Sequence, residues 1–464
     1  MAEQPVNVAK VRARERVVVN VDSPAARWIG ALAVLSVFCW LVVLLVHNHH
    51  PASWHAAGRL AWSVSVLAAV ALIARGIFLG RPVTAVHAWW AMVVLLGGLG
   101  ARVLSFDLLG NVLIAGAGWV LMWPTAAKPQ PEALPRVWGL VNATRGDALA
   151  PFAMQTLRSF HFSPDGAAAI TYRTRIGFAV VGGDPIGDET RFPELVADFV
   201  TMCHSRGWRI MVVACSDRRL PLWQNAAVVG QSMMVVSIGR DVVIDVQRFD
   251  MVGRKFRNLR QAVQRTRNCG ITTEVVAEQE IDDSLQAELA EVLYTSHSGA
   301  HYERGYCMNL DAALERRYPG ISLIIARDRA GRVQGFHRYA TAAGGDDVTL
   351  DVPWRRPGAP NGIDERLSVD MIHEAKARGG QRLSLAFAAF PEIFTAKDRG
   401  FVQTLFYLGI HLLDPLIALE SLYRYLRKFH ALDGRRYALL SVQHIPHAAV
   451  VLLSLEFMPR RRHL

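Results

Sequence analysis

The stretch Asp346–Glu392, DDVTLDVPWRRPGAPNGIDERLSVDMIHEAKARGGQRLSLAFAAFPE, predicts a strand, a polar loop, an amphipathic helix and a second strand. Val348, Leu350 and Val352 alternate with polar residues, which is the period of a half-buried strand. The prolines and glycines from Pro353 onwards predict a loop. The second strand is predicted to open with Leu383, Leu385 and Phe387.

The helix between these strands is predicted to be capped by Asn361 and to carry Asp364 and Glu365 in its first turn, where acidic groups suit the helix dipole. Arg378-Gly379-Gly380 predicts its end. An Arg-bearing, Gly-rich loop at a helix N-terminus suits an anionic or carbonyl group of a ligand. An ordinary crossover connection is the alternative, and spacing alone does not separate the two.

Composition limits the classes of protein to consider. The chain has 464 residues, 52% of them hydrophobic, so two or three domains are expected. Its net charge of +11 favours anionic partners such as lipid headgroups, nucleic acid or both. The 5 cysteines are scattered without a CxxC pair, so neither a disulfide framework nor a metal site is predicted, and no cofactor is expected.

The hydrophobic excess lies near the N-terminus. A basic tail, residues 1–25, precedes a region, residues 26–125, with apolar segments at about 28–46, 60–79, 85–104 and 108–123. Spanning a bilayer takes roughly 20 residues, so the fourth segment is short. Arg75 and Arg81 flank the middle turn, and the distribution of Lys and Arg predicts a multi-pass plasma-membrane protein whose remaining part is cytoplasmic. Buried helical hairpins in a soluble fold are the alternative.

After a Pro-rich linker, residues 126–150, two α/β units are predicted, 151–252 and 271–464. The first contains strands at 167–173, 177–181 and 209–215 and a helix at 192–206; the second contains a strand at 272–276, a helix at 284–296 and a meander at 321–352. Two such units suggest an internal duplication of an acetyltransferase-like fold. The predicted fold is therefore α/β (α+β): a transmembrane helical bundle followed by two tandem acetyltransferase-like (GNAT) domains.

A basic helix, residues 253–270, joins these domains. Its cations include Lys255, Arg257, Arg260 and Arg265, and no acidic residue separates them. Charge of one sign on a helix indicates a polyanion or an anionic bilayer as its partner. A surface helix that pairs with acids elsewhere in the chain is the alternative.

No P-loop, GxSxG or HExxH motif is present, which argues against a hydrolase with an activated serine. Polar groups in otherwise apolar segments suit acyl transfer by positioning, where cations and helix-terminal N–H groups stabilise an oxyanion. The loop Arg355–Pro360 begins like an acetyl-CoA loop, but its prolines remove N–H donors and weaken acetyl-CoA as the donor.

Several motifs point to one family. They are Ser163–Arg173, Gly183–Asp188, Arg257–Arg265, Thr349–Asp351, Pro360–Gly362 with Glu365, Leu383–Ala388, Glu420–Arg424 with Lys428-Phe429, and Arg436-Tyr437. Through them, residues from about 160 to 457 resemble the synthase domain of bacterial lysyl-phosphatidylglycerol synthases, the multiple peptide resistance factor proteins. The resemblance is greatest to the mycobacterial branch, in which that domain is fused to a lysyl-tRNA synthetase.

The resemblance implies transfer of an amino acid, usually lysine, from aminoacyl-tRNA to phosphatidylglycerol at the inner leaflet. As hypotheses, Asp351 and Glu365 hold the donor's amino group, Arg355 and Arg356 meet the lipid phosphate or the tRNA end, and Arg424 and Lys428 stabilise the oxyanion or the phosphodiester. Lys255, Arg257, Arg260 and Arg265 bind tRNA. Further expected substrate-binding residues are Asn361, Gly362, Ser384, Tyr423, Arg436 and Tyr437. A structural ion pair is the alternative for each single residue.

The chain departs from the family at Val352-Pro353-Trp354, where Leu or Met commonly precedes the arginines. It contains no tRNA synthetase domain, so any tRNA is expected to arrive already charged. Two other functions stay open. One is an acyl-CoA-dependent N-acyltransferase on a membrane or envelope substrate, and the other is a non-catalytic membrane protein that binds lipid.

Overall fold

The computed structural model describes residues 17–19, parts of 28–43, and residues 54–78, 81–296, 306, 308–389 and 419–457. The first predicted apolar segment lies mostly outside these residues. The described residues within 28–43 are helical, and three helices follow them, α1 (Trp54–Phe78), α2 (Ala85–Val103) and α3 (Asp107–Leu121). Two stretches of them, Leu60–Phe78 and Ala85–Val103, are long and apolar enough to cross a membrane, whereas α3 is shorter. The bundle of about four spans stays a prediction.

A short antiparallel pair joins the basic tail to the α1–α2 connector, β1 (Val17–Val19) with β2 (Val83–Thr84). The rest of the described chain is built on one mixed sheet of 12 strands. These are β3 (Ser159–Phe162), β4 (Ala168–Arg175), β5 (Phe178–Gly182), β6 (Ile186–Gly187), β7 (Arg209–Ser216), β8 (Met234–Asp245), β9 (Thr272–Ala277), β10 (Ile321–Arg327), β11 (Val333–Ala342), β12 (Asp347–Arg355), β13 (Arg382–Ala389) and β14 (Leu432–Leu440).

Helices cover both faces of this sheet. They are α4 (Leu134–Ala143), α5 (Phe192–Ser205), α6 (Leu220–Gln224), α7 (Ala226–Val229), α8 (Arg257–Asn268), α9 (Asp283–Ser296), α10 (Ile363–Ala377), α11 (Leu419–Leu426) and α12 (Ile445–Phe457). Most of the strands and helices predicted from periodicity are confirmed within a few residues. The stretch predicted as a linker instead contains α4, because its proline stands at the start of a helix whose Val137 and Val141 are buried.

The sheet repeats one arrangement twice. In each half three antiparallel strands lead through a helix to a fourth strand that lies parallel to the third: β3, β4, β5, α5 and β7, then β10, β11, β12, α10 and β13. This repetition is what an internal duplication predicts.

The last strand of each half crosses to the other half. Strand β8, which follows β7, pairs with β13, and β14, which follows β13, pairs with β7. The two crossing strands also pair with each other, so that the sheet is continuous. The limits predicted for the two domains stay a prediction, but the exchange means that neither half of the sheet is complete without a strand from the other.

The opening stretch of sequence folds largely as predicted. Strand β12 and helix α10 are confirmed, but β12 runs through Pro353 to Arg355, so the predicted start of the loop is wrong. Beyond Thr349 β12 no longer pairs with β13, and a proline is tolerated where a strand has lost a neighbour. Asn361 does not cap α10: the cap is Gly362, with a φ of 100° that favours glycine.

One buried arginine joins the crossing strands. Arg436 on β14 lies 2.6 Å from Asp147, 2.8 Å from Asp241 on β8 and 3.5 Å from Asp184. Its guanidinium also donates to the carbonyl of Ala214 on β7. Burial and the charge of Asp147 raise the pKa of Asp184, and burial raises the pKa of Asp241. These side chains form the Arg436 cluster, in which one cation serves several buried carboxyl groups.

A second buried cluster lies within the C-terminal half. Arg338 on β11 binds Glu278 at 2.5 Å and Asp351 on β12 at 2.8 Å, and all three side chains are fully buried. The backbone N–H of Leu310 also donates to Asp351. Burial raises the pKa of Asp351 to about 6, against the opposing charge of Arg338. Because Arg338 is shared between two carboxyl groups, its charge only partly offsets the cost of burying Asp351.

We expect Arg436→Met to destabilise the protein by about 3–5 kcal/mol, because it leaves buried carboxyl groups without their cation. Urea unfolding of the full chain in detergent micelles, followed by tryptophan fluorescence, measures the loss. Arg378→Met is the matched control, since Arg378 is 56% exposed and pairs, among the residues that the structure describes, with Glu374 one turn earlier. Its expected cost is below about 1 kcal/mol. Equal costs for the two variants would contradict a structural role for the Arg436 cluster.

The raised pKa of Asp351 predicts a pH-dependent effect of Asp351→Asn. Its folded-state pKa of about 6 exceeds the unfolded value of about 3.9, so the folded chain keeps this proton as the pH rises through that interval. The contribution of Asp351 to stability therefore falls from about pH 4 to pH 6. The unfolding free energy of Asp351→Asn, relative to the unsubstituted chain, should rise by on the order of 1–3 kcal/mol between pH 4 and pH 7. A difference that stays constant with pH would refute this.

Candidate functional site

The N-terminus of helix α10 lies against the basic helix α8. A Cβ atom on Gly362 would approach the carbonyl oxygen of Ala262 to 2.8 Å, so only glycine fits here without a shift. Leu259, Ala262 and Val263 form the buried face of α8, and its arginines point outwards. The first turn of α10 and the basic helix are therefore neighbours.

Two carboxylates of this first turn each have a basic partner. Asp364 lies 3.2 Å from His337 Nε2 on β11 and 3.2 Å from Arg355 at the end of β12. Glu365 is buried and pairs with Lys428, whose side chain is 37% exposed. Burial raises the pKa of Asp364, but the hydrogen bond from His337 and the charges of His337, Arg355 and Lys428 outweigh it, and the net shift is downwards.

A chain of buried hydroxyl groups follows one turn further along α10. Ser368 Oγ lies 3.3 Å from the hydroxyl of Tyr339 on β11, and it also hydrogen-bonds the hydroxyl of Tyr425 on α11. Burial raises the pKa of both tyrosines, so they stay protonated and can donate. Together with Asp364, Glu365, His337, Arg355 and Lys428, these groups form what we call the α10 site.

Cationic groups also lie on the elements next to the α10 site. The turn that follows α11 packs on the start of α8: His430 Nε2 lies 3.1 Å from the carbonyl of Lys255, and its ring packs against Phe256. Arg424, on α11, and Arg427, in the turn that follows it, are exposed. Arg260, by contrast, donates 2.8 Å to the carbonyl of Gly253 and also to that of Met251, so part of its binding capacity is used within the chain.

The structure separates Asp351 from Glu365, which the sequence analysis grouped together. Side chains alternate between faces along β11. Phe336 packs in one apolar cluster with Leu289 of α9, whereas Tyr339 packs in another with Leu367 of α10. Arg338, and with it Asp351, therefore lies on the α9 face of the sheet, while Glu365 belongs to the α10 face.

Arg355 and Arg356, which were predicted to act together, bind different parts of the protein. Arg355 reaches Asp364 and joins the α10 site. Arg356 makes two hydrogen bonds to Glu291 of α9, at 2.5 and 3.0 Å, and donates to the carbonyl of Val333. Arg356 is therefore held by protein groups on the α9 face.

The predicted substrate-binding residues are dispersed. Asn361 is exposed beside the start of α10, and Tyr423 is buried in the core beneath it. Ser384 is buried where β12 and β13 separate, and its Oγ has no partner in the described part of the chain. Arg436 belongs to its buried cluster, and a hydrogen bond to Asp217 raises the pKa of Tyr437 on the neighbouring position of β14.

Sequence reasoning missed His337, Tyr339, Ser368 and Tyr425 as members of the site. Side chains alternate along β11, so the sequence could have predicted that His337 and Tyr339 lie on the same face of the sheet. The site that results can hold an ammonium group with its carboxylates and a phosphate or an oxyanion with its cations and the N–H groups of a helix N-terminus.

Comparison with known proteins agrees with this fold. A family model described as "Phosphatidylglycerol lysyltransferase, C-terminal" matches residues 138–440. The chain is 67% identical to the "MprF-like domain protein Rv1619" of Mycobacterium tuberculosis, over 98% of this chain and 94% of that one. It is 31% identical to the lysylphosphatidylglycerol biosynthesis bifunctional protein LysX of Gordonia bronchialis, over 60% of this chain but only 24% of LysX.

Two solved structures share the fold. The C-terminal domain of a putative lysylphosphatidylglycerol synthetase from Agrobacterium fabrum superimposes with a TM-score of 0.58 at 22% identity, covering 70% of this chain and 97% of that one. The structure described as L-PGS from Bacillus licheniformis gives 0.58 at 18% identity, covering 72% and 98%. The family match confirms the resemblance drawn from the sequence motifs: the chain belongs to the phosphatidylglycerol lysyltransferase family, a family of transferases that join an aminoacyl group to a lipid.

Proposed function

We propose that the chain is a membrane-bound aminoacyltransferase that moves an amino acid, with lysine as the first candidate, from aminoacyl-tRNA to phosphatidylglycerol. The observation that carries the proposal is the contact between α10 and α8. It puts a site of paired acidic and basic side chains directly beside a helix whose charged side chains are all basic. The two tandem units are proposed to be duplicated acetyltransferase-like domains, in keeping with the repeated order of strands.

The cations of α8 support a polyanionic donor. Arg254, Lys255, Arg257, Arg265 and Arg267 are exposed, and none of them takes part in a salt bridge among the described residues. Most arginines elsewhere in this part of the chain have an acidic partner, for example Arg327 with Glu274 and Glu288. Unpaired cations along one helix fit a phosphate backbone, which they contact without reading sequence.

The reaction proposed is an ester exchange. A glycerol hydroxyl of phosphatidylglycerol attacks the carbonyl carbon of the aminoacyl ester, the hydroxyl proton passes to a basic group, and the terminal ribose oxygen of the tRNA leaves and is protonated. One ester bond forms as another breaks, so no cofactor is needed. Glu365 and Asp364 are proposed to bind the ammonium group, and Lys428, Arg424 and Arg355 the oxyanion or the phosphodiester. The fully buried His337 is proposed to orient Asp364.

Two further residues predicted to be catalytic, Asp351 and Arg356, have a structural role in the proposed enzyme. Asp351 and Arg356 are held by buried or bidentate partners on the α9 face. We propose that they fix β12 and the loop after it, from which Arg355 reaches Asp364.

The membrane arrangement proposed is multi-pass with the transferase part in the cytoplasm. Arg81, in the α1–α2 connector, and Thr125, just after α3, both contact the first half of the sheet. Strand β1 pairs with the same connector. These contacts support a single side for the basic tail, the connector and the transferase part, which the positive-inside rule makes the cytoplasmic side.

The first test is in vitro transfer by the full chain in phosphatidylglycerol vesicles, with radiolabelled lysyl-tRNA, alanyl-tRNA or acetyl-CoA as the donor. We expect labelled, alkali-labile lipid from a charged tRNA and none from acetyl-CoA. Label transferred from acetyl-CoA would instead support the acyl-CoA-dependent alternative. Binding to the vesicles without transfer from any charged tRNA would support a non-catalytic lipid-binding protein.

Glu365→Gln should lower kcat/KM for transfer by roughly 10–100-fold, because it removes a charge that faces the substrate. Lys428→Met should lower kcat by on the order of 10²-fold if it stabilises the oxyanion. The double variant restores a neutral pair, so a structural ion pair predicts recovery of activity, whereas the proposed roles predict further loss. Glu374→Gln, on the exposed side of the same helix, is the control, and thermal unfolding of each variant tests for loss of folding.

Arg257→Gln combined with Arg265→Gln should raise KM for aminoacyl-tRNA and leave kcat close to its original value. The slope of log KM against log salt concentration should decrease by roughly 1.5–2, because two phosphate contacts are lost. Arg378→Gln removes a charge at the far end of α10 and should change neither quantity. An unchanged salt dependence in the double variant would show that α8 does not bind the donor.

A further inference from the structure

The α1–α2 connector meets the first half of the sheet through one arginine. Arg81 Nη1 donates to the carbonyl of Met122 at the end of α3, at 2.9 Å. On its other side, a Cβ atom on Gly177, in the turn between β4 and β5, would lie 3.4 Å from Arg81 Nη2. Arg81 thus lies between the apolar helices and the transferase part.

Other cationic groups gather around it. Arg75 lies in the last turn of α1, and Arg209 opens β7 with its guanidinium 5.7 Å from the ring of Phe178. The ring of His444 packs on the same Phe178, at 6.3 Å. Burial and the charges of Arg209 and Arg75 lower the pKa of Arg81 to about 10, and burial and Arg209 lower the pKa of His444. We call these four residues the junction cluster.

The junction cluster lacks a counter-charge within the described chain. None of the salt bridges among the described residues involves Arg75, Arg81 or Arg209, and Arg81 Nε is buried without a hydrogen-bond partner. Like charges held together and partly withdrawn from water repel each other. The arrangement is favourable when an anion with several acceptor oxygens lies among them, and a phosphate group provides these.

The surroundings of the cluster indicate where that phosphate comes from. Helix α12 begins beside His444 and buries Ala448 and Val451 against the sheet. Its other side exposes apolar side chains, with Ile445 41%, Val450 55% and Leu453 48% exposed. An exposed apolar helix face beside cations, next to helices of membrane-spanning length, fits the headgroup level of an anionic bilayer.

We propose that Arg75, Arg81, Arg209 and His444 form a binding site for the phosphate of an anionic phospholipid, which fastens the transferase part to the bilayer surface. This site lies on the first half of the sheet, apart from the α10 site of the second half. The lipid bound here is a structural ligand, and its binding does not depend on the proposed transfer reaction.

The test uses the purified full chain in dodecyl maltoside micelles, with thermal unfolding followed by tryptophan fluorescence. Dioleoyl phosphatidylglycerol should raise the melting temperature at concentrations where dioleoyl phosphatidylcholine does not. Arg81→Gln combined with Arg209→Gln should weaken the apparent affinity for the anionic lipid by roughly 25-fold, about fivefold for each arginine lost. Arg378→Gln, an exposed arginine outside the cluster, should leave it unchanged.

Two further variants separate the alternatives. Arg81→Lys combined with Arg209→Lys keeps both charges and should restore most of the lipid response, which a mere folding defect would not allow. The weakening caused by the Arg81→Gln and Arg209→Gln pair should persist when Lys428→Ala removes a proposed phosphodiester contact in the α10 site. The proposal is overturned if Lys428→Ala weakens lipid binding while the junction double variant does not, if both lipids act alike, or if inorganic phosphate stabilises the chain as strongly as the anionic lipid.

Discussion

The burial of Arg436 among aspartates from three separate parts of the chain is the constraint on which the rest of the structure depends. Asp147 precedes the first half of the sheet, Asp184 follows β5, and Asp241 lies on β8. A buried guanidinium is costly unless its hydrogen bonds are satisfied, so the cluster is stable only when β14 lies between β7 and β8. That arrangement makes the two halves of the sheet one body and fixes the helices packed on them relative to each other.

The fixed positions of the helices determine how charges are arranged at the α10 site. Helix α10 connects two parallel strands that stop pairing after Thr349, and its first turn reaches the end of β12 through Asp364 and Arg355. Gly362 allows α8 to pack directly on this turn, so a helix with one sign of charge borders a site whose own charges are paired. Paired charges keep the site organised without substrate, while unpaired charges outside it remain available to a polyanion.

Local patterns were enough to predict most strands and helices of this chain, because periods of 2 and 3.6 residues report which face is buried. The family followed from short motifs, many of which lie on the structural elements around the site. The exchange of β8 and β14 could not be predicted, since Arg436 and its partners lie 195 to 289 residues apart in sequence. The separation of Asp351 from Glu365 was missed because the sequence does not say which face of the sheet α10 covers. Leu350 packs with α10, and Asp351, the next residue, faces the other side.

The distribution of unpaired charge links the site to the membrane. Many arginines in the described part of the chain have acidic partners, as Arg382 does with Asp347 and Arg356 with Glu291. Two groups of cations without a salt bridge among the described residues are the outer face of α8 and the junction cluster. A phosphate backbone suits the cations of α8, which form an extended row. A single headgroup suits the junction cluster, which is compact and lies beside apolar helices.

Because the sheet is one continuous body, a lipid held at the junction would limit the orientations of the α10 site relative to the bilayer. The excess positive charge of the chain would then serve two different phosphates, one that delivers the donor and one that holds the protein where the acceptor lies.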